Sequence, residues 1–280
     1  MFLRKLKYIV AIAVVVGLTA YICIDIFFPN GFGSDDDDNA AAVKKTALNI
    51  GVPNNISSLP VWIAEEDSLF DSLRVDITVK DFTDPMDCDV AFSSGKTNLC
   101  ITESKRADWL KTAKKQTYSE VMTLPMPYAM VASHNARINS ISQLKNKLVG
   151  STRNSTYSAS LQHCLDSVKL NKDSVYVVQI NNPNVAMLML HNNELDAAFV
   201  PEPYISLGKV MGHKPLYSGH TDALLISRHD LPADQLGNFN KAINEALNRI
   251  RKNGVSHYTA LIAKRCKCSP QFEKELKVKF

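Results

Sequence analysis

Hydrophobic positions alternate with polar or small ones in three short stretches, Leu48/Ile50/Val52, Val75/Ile77/Val79 and Tyr176/Val178/Ile180. A period of two turns one face of an extended chain into a core, so each stretch predicts a β-strand. Helix-length segments lie between and after them, and the order strand, helix, strand predicts an α/β fold with largely parallel sheets. Helix starts are marked as well. Ser58 before Leu59-Pro60, Asp84-Pro85 and Asn182-Pro183 each set a capping side chain ahead of a first-turn proline. Ser151 to Thr156 (STRNST) leads into an amphipathic stretch, Tyr157 to Val168, where Leu161, Cys164, Leu165 and Val168 recur at helical spacing. Near the C-terminus, Phe239, Ile243, Leu247 and Ile250 form the apolar stripe of a helix over Asn238–Lys252.

Two segments echo each other. Asp84–Ser104 and Asn182–Pro203 each read as capped helix, polar turn, short apolar strand and glutamate, with Glu103 and Glu202 spaced by 99 residues. One echo at that distance predicts two similar lobes and not a solenoid, which needs several short repeats. Thr123–Ser133 (TLPMPYAMVAS) reads as a strand crossing from one lobe to the other, and Tyr217–Ser227 as the return. The expected organisation is lobe one over 46–125, lobe two over 126–216, and a return crossing with C-terminal helices over 217–280.

The N-terminal 45 residues read differently. Tyr8 to Ile24 is an uncharged, mostly apolar run behind Arg4, Lys5 and Lys7. A basic flank stays cytoplasmic, so the body after Pro29 is expected on the far side of a membrane. Three forms of this leader (1–29) are weighed: a cleaved signal peptide, for which Leu18-Thr19-Ala20 is the best site; a lipoprotein signal at Cys23, preceded by bulky Tyr21 and Ile22; and an uncleaved anchor over residues 8–28. The anchor fits best, because that span reaches the roughly 20 residues a helix needs to cross the hydrocarbon. Residues 30–45 read as an acidic tether whose four adjacent aspartates, Asp35 to Asp38, repel one another and stay solvated. These parts explain the net charge of +4: the first 40 residues carry −2 and the remaining 240 carry +6. An excess of six, spread over an ordinary globular composition, gives no footprint for nucleic acid.

Five cysteines lie beyond the leader, Cys88, Cys100, Cys164, Cys266 and Cys268, without zinc-like spacing, and read as thiols. No metal or cofactor is expected. Neither HExxH, GxSxG, GxGxxG nor a phosphate-binding GxxxxGK[ST] motif is present, and the seven histidines are scattered, so the chain is not expected to be an enzyme.

Three strings carry a family resemblance: Leu48-Asn49-Ile50-Gly51-Val52-Pro53 with Leu59-Pro60-Val61-Trp62-Ile63-Ala64-Glu65-Glu66; Gln143 to Thr152 (QLKNKLVGST); and Glu194 to Pro203 (ELDAAFVPEP). In order and spacing, over about residues 46–278, the chain resembles the nitrate, sulfonate, taurine and thiamine-precursor group of ABC-importer solute-binding proteins. It departs from them at Gly95-Lys96-Thr97-Asn98, where Gly-x-x-Asp is usual. The resemblance implies a two-lobed, hinged type II periplasmic-binding-protein fold. It further implies a monomer that closes on a small-molecule solute and delivers it to an ABC permease and its ATPase.

Strand ends and helix starts then define the expected cleft. It takes Asn54, Asn55, Ser57 and Ser58 after the first strand, Thr102, Glu103 and Ser104 after the echo strand, Ser151, Thr152, Ser155, Thr156 and Tyr157 at the second lobe's helix start, and Glu202 with Tyr204. Trp62, Tyr157 and Tyr204 are candidates to stack on the solute. Other readings stay open: Ser57, Ser58 and Ser155 as caps, Trp62 as core, and Glu103 and Glu202 as caps or partners of Lys105 and Arg153. Helix ends and hydroxyls suit a sulfonate, while carboxylates suit an aminopyrimidine. Two glutamates tilt the balance toward a neutral or cationic nitrogen-containing solute. A membrane-anchored ligand sensor or scaffold of the same fold is the alternative output, and an enzyme on this fold the less expected one.

Overall fold

The computed structural model describes residues 47–280; the expected anchor and tether both lie outside them. Eight strands, β1 (Leu48–Pro53), β2 (Ile77–Phe82), β3 (Leu99–Glu103), β4 (Ser119–Ala132), β5 (Leu148–Ser151), β6 (Tyr176–Gln179), β7 (Ala197–Pro201) and β8 (Lys214–Ser227), form one sheet in the order β2-β1-β3-β8-β4-β7-β5-β6. The helices are α1 (Leu59–Glu66), α2 (Leu69–Ser72), α3 (Pro85–Ser93), α4 (Ser104–Thr112), α5 (Thr156–Ser167), α6 (Pro183–His191), α7 (Tyr204–Val210), α8 (Ala233–Asn253) and α9 (Thr259–Cys266). Among the described residues no helix is long and apolar enough to cross a membrane.

Parallel pairing holds within each flank of the sheet, β2-β1-β3 and β7-β5-β6. Its middle is antiparallel, β3 with β8, β8 with β4 and β4 with β7. That corrects the expectation of a largely parallel sheet. The reason is that β4 and β8, 14 residues each, carry the chain across the middle in opposite directions and pair from Ser119↔Ser227 to Ala132↔Lys214. On either side of this ribbon the strand order repeats, so the echoed strands β3 and β7 both lie against it.

The three positions that marked β1, Leu48, Ile50 and Val52, are wholly inside, and Gly51 and Pro53 of the same strand are buried with them. Asp84 and Asn182 cap α3 and α6, accepting from the N–H of Met86 at 2.7 Å and of Asn184 at 2.9 Å. Ser58 does not cap α1. A 3₁₀ turn, Ile56–Ser58, runs directly into that helix, and Asn55 caps the turn by accepting from the Ser57 N–H at 3.0 Å. The C-terminal stripe Phe239, Ile243, Leu247 and Ile250 is buried, and the Phe239 ring stacks on Phe70 of α2 at 5.7 Å. The five cysteines among the described residues are free thiols; Cys88 and Cys100 bring their sulfurs to 3.4 Å inside a small apolar cluster between α3 and β3.

The β4–β8 ribbon is tightest where Tyr128 lies opposite Gly219. A Cβ at Gly219 would meet the Tyr128 ring at 2.4–2.9 Å, and the Tyr128 hydroxyl is fixed at 2.7 Å from Ser160 on α5. Gly219→Ala should therefore drive the ring off its seat and cost about 1–3 kcal/mol, an overpacking penalty. Urea denaturation would read the loss, and the penalty should vanish in a Tyr128→Ala background.

Candidate ligand cavity

A cavity of about 590 Å³, mouth included, opens where the carboxyl ends of β1, β3 and β7 meet the starts of α3, α5 and α6. Its walls are mainly apolar: Ile101, Met126, Ile180, Phe199, Ala223 and the prolines Pro53, Pro85, Pro183 and Pro201. The capping turns bring it there, because Asp84-Pro85 and Asn182-Pro183 end the loops leaving β2 and β6.

Six of the residues expected in the cleft line this cavity: Asn55, Thr102, Glu103, Thr152, Ser155 and Tyr157. Thr156 joins them indirectly, since its N–H and hydroxyl both donate to Glu103. The others point elsewhere. Asn54 donates to the Tyr204 hydroxyl at 2.7 Å, and Tyr204, with no exposed surface, donates onward to the Cys266 carbonyl at 3.1 Å. Ser57 and Ser58 spend their hydroxyls on the carbonyls of Pro125 and Pro53. Trp62 is wholly buried, its indole N–H 2.8 Å from Asp81. Ser151 ends β5 beside a second, more open hollow lined by Arg153 and Gln179. Glu202 caps α7, accepting from the Ser206 N–H at 3.0 Å and its hydroxyl at 2.9 Å.

The charged floor of the cavity is Glu103 and Arg106. Both Glu103 oxygens lie 3.0 Å from the Thr156 N–H at the start of α5, and Oε1 also accepts from the Lys105 N–H at 3.2 Å, at the start of α4. Thr221 of β8 completes the hydroxyl cluster, 3.2 Å from Ser104 and 3.3 Å from Thr156. Burial pushes the Glu103 carboxyl above its usual range, and the bonds from Thr156 and Lys105, with Arg106 nearby, oppose that push. Arg106 directs Nε to Asp89 Oδ2 at 2.5 Å and places Nη2 on the same oxygen, with both side chains almost wholly buried. Burial also pushes the Asp89 carboxyl up, with Arg106 opposing it. The Tyr157 hydroxyl has no partner among the described residues; burial pushes its pKa above the ordinary tyrosine value, and its ring stacks on Phe199 at 5.8 Å.

Arg106, Met126, Phe199 and Asn181 were not among the expected site residues, although they line the cavity. For Asn181 a signal existed, because it precedes the same cap-and-proline start that marks Asp84-Pro85. For Arg106 none did, since its partner Asp89 sits on another helix.

The sequence comparison decides the family. Residues 55–206 match the model described as NMT1/THI5 like. The chain belongs to this family. No curated protein matches it. Among solved structures, members of this NMT1/THI5-like chain's fold group include the periplasmic aliphatic sulphonate binding protein SsuA from Escherichia coli, with a TM-score of 0.65 and 18% identity over 82% of this chain and 81% of that one. The alkanesulfonate-binding protein SsuA from Xanthomonas axonopodis pv. citri, bound to MOPS, gives 0.69 and 16% over 84% of each chain. The periplasmic nitrate-binding protein NrtA from Synechocystis PCC 6803 gives 0.71 and 12% over 82% of this chain and 69% of that one. Likeness at such identity establishes the fold, the mixed α/β sheet of periplasmic binding proteins.

Proposed function

We propose that the chain is the extracytoplasmic solute-binding component of an ABC importer, capturing a small polar organic solute and delivering it to a permease driven by its ATPase. The observation that carries this reading is the cavity. It lies where strand ends and helix starts from both flanks of the sheet converge, and it keeps a buried tyrosine hydroxyl without a partner among the described residues. Membership in the family supports it, as does the fold shared with sulfonate- and nitrate-binding proteins. On this reading residues 46–125 and 126–216 are two lobes, 217–280 returns to the first, and the β4–β8 ribbon is the hinge between them. Residues 8–28 anchor the monomer with its N-terminus in the cytoplasm, and the acidic segment gives it reach to the permease.

The test is a melting screen of the full chain in detergent micelles against sulfonates, nitrate, bicarbonate, pyrimidines, amines and amidines. A solute at a hundred times its Kd stabilises by about 2.7 kcal/mol, which for a body of this size raises Tm by roughly 5–11 °C. The bound solute should be recovered chemically unchanged. Absence of any shift across the panel, or recovery of a converted product, would overturn solute delivery.

A further inference from the structure

We infer that Glu103 occupies the anion seat of this cavity and so selects against anionic solutes, leaving the site to a small neutral or cationic molecule with N–H donors on an apolar body. The inference rests on the solute-binding reading above and names the class of solute.

The seat is the start of α5. A helix of 12 residues presents unpaired N–H groups and the positive end of its dipole there, and this is where an anion entering an α/β cleft settles by default. In this chain the place is taken. Both oxygens of Glu103, reaching over from β3, lie 3.0 Å from the Thr156 N–H, and the Thr156 hydroxyl donates to the same carboxylate. The same side chain caps α4 through the Lys105 N–H. One carboxylate thus closes two helix starts that face the cavity.

No unmatched cation remains on the walls to receive a second anion. Arg106 is the one basic side chain lining the cavity among the described residues, and its charge is matched by Asp89, which accepts from Nε at 2.5 Å and forms the ion pair with Nη2. Lys105 and Arg153 are exposed and do not line it. The formal charges of Glu103, Arg106 and Asp89 sum to −1 in a partly desolvated space, where charge repulsion and attraction are stronger than in water. What is left for a ligand is complementary: free lone pairs on a carboxylate for N–H donors, an unpartnered and almost wholly buried Tyr157 hydroxyl, and apolar walls from Ile101, Met126 and Phe199. A sulfonate or nitrate would have to displace Glu103 from Thr156 and leave that carboxylate buried without its donors.

Two matched series test this on the full chain in micelles by calorimetric titration: benzamidinium, benzamide and benzenesulfonate, and butylammonium beside butanesulfonate. The wild-type chain should bind the cationic member of each series on the order of 100-fold more tightly than the sulfonate. Glu103→Gln keeps an oxygen for the Thr156 N–H but removes the charge, and should shrink that ratio at least tenfold by gaining affinity for the sulfonate. Glu103→Asp keeps the charge and should keep the preference, which separates charge from fit. Equal or tighter binding of a sulfonate or nitrate by the wild-type chain, or an unchanged ratio in Glu103→Gln, overturns the inference and leaves solute capture standing. If no solute of any charge binds, solute capture falls and this inference with it.

Discussion

Arg106→Met should lower the unfolding free energy by about 3–5 kcal/mol, because it leaves the Asp89 carboxylate buried without its cation. The two side chains are only 4% and 2% exposed, so water cannot replace the lost partner. In a body of this length such a loss corresponds to a fall in Tm of roughly 6–20 °C. The pair spans α3 and α4, and its removal also strips a wall of the cavity. The informative control is the double variant Asp89→Leu/Arg106→Met. Replacing a whole buried pair by apolar side chains is commonly close to neutral, so the double variant should recover most of the stability that the single one loses. Thermal melting of the wild type and both variants measures this; a single variant as stable as the wild type would mean that Asp89 is not held as a buried anion.

Trp62→Ala is expected to cost a similar amount, about 3–5 kcal/mol, through the cavity left by the largest wholly buried side chain. Its indole N–H also leaves Asp81, but that carboxylate keeps Arg265 at 2.8 Å and is not orphaned. Trp62→Phe should therefore cost far less, about 1 kcal/mol for the lost hydrogen bond. Neither change touches the cavity wall, so the affinity of Trp62→Phe for any captured solute should match that of the wild type. A large drop in affinity with stability intact would return Trp62 to the ligand.

These two positions show what a one-dimensional pattern can and cannot carry. Strand β1 was legible because burial of Leu48, Ile50 and Val52 needs only a local period of two. The caps at Asp84 and Asn182 were legible because a cap acts on the N–H two residues away. Glu103 was found as a strand-end carboxylate, but its principal partner, Thr156, lies 53 residues on and leaves no local trace. Trp62 and Tyr204 look like ligand aromatics in sequence. Whether such a ring faces solvent or core depends on Asp81 and Cys266, which chain topology brings against them. Direction is equally silent: the proline-bearing crossing segments announced extended chain, and nothing in them said that the two would pair antiparallel.

The central ribbon also orders the making of the molecule. Strand β3 waits for β8, more than a hundred residues downstream, before its open edge is covered, and α1 waits for α8. Contacts so distant in sequence close late, because a long loop must be ordered before they form. The strands β5, β6 and β7, by contrast, find their partners within a span of about fifty residues and meet β4 just upstream. The end of the body that is synthesised first is thus the end completed last. Pulse-labelled hydrogen exchange during refolding should protect Val149 and Ala198 before Cys100 and Ile101.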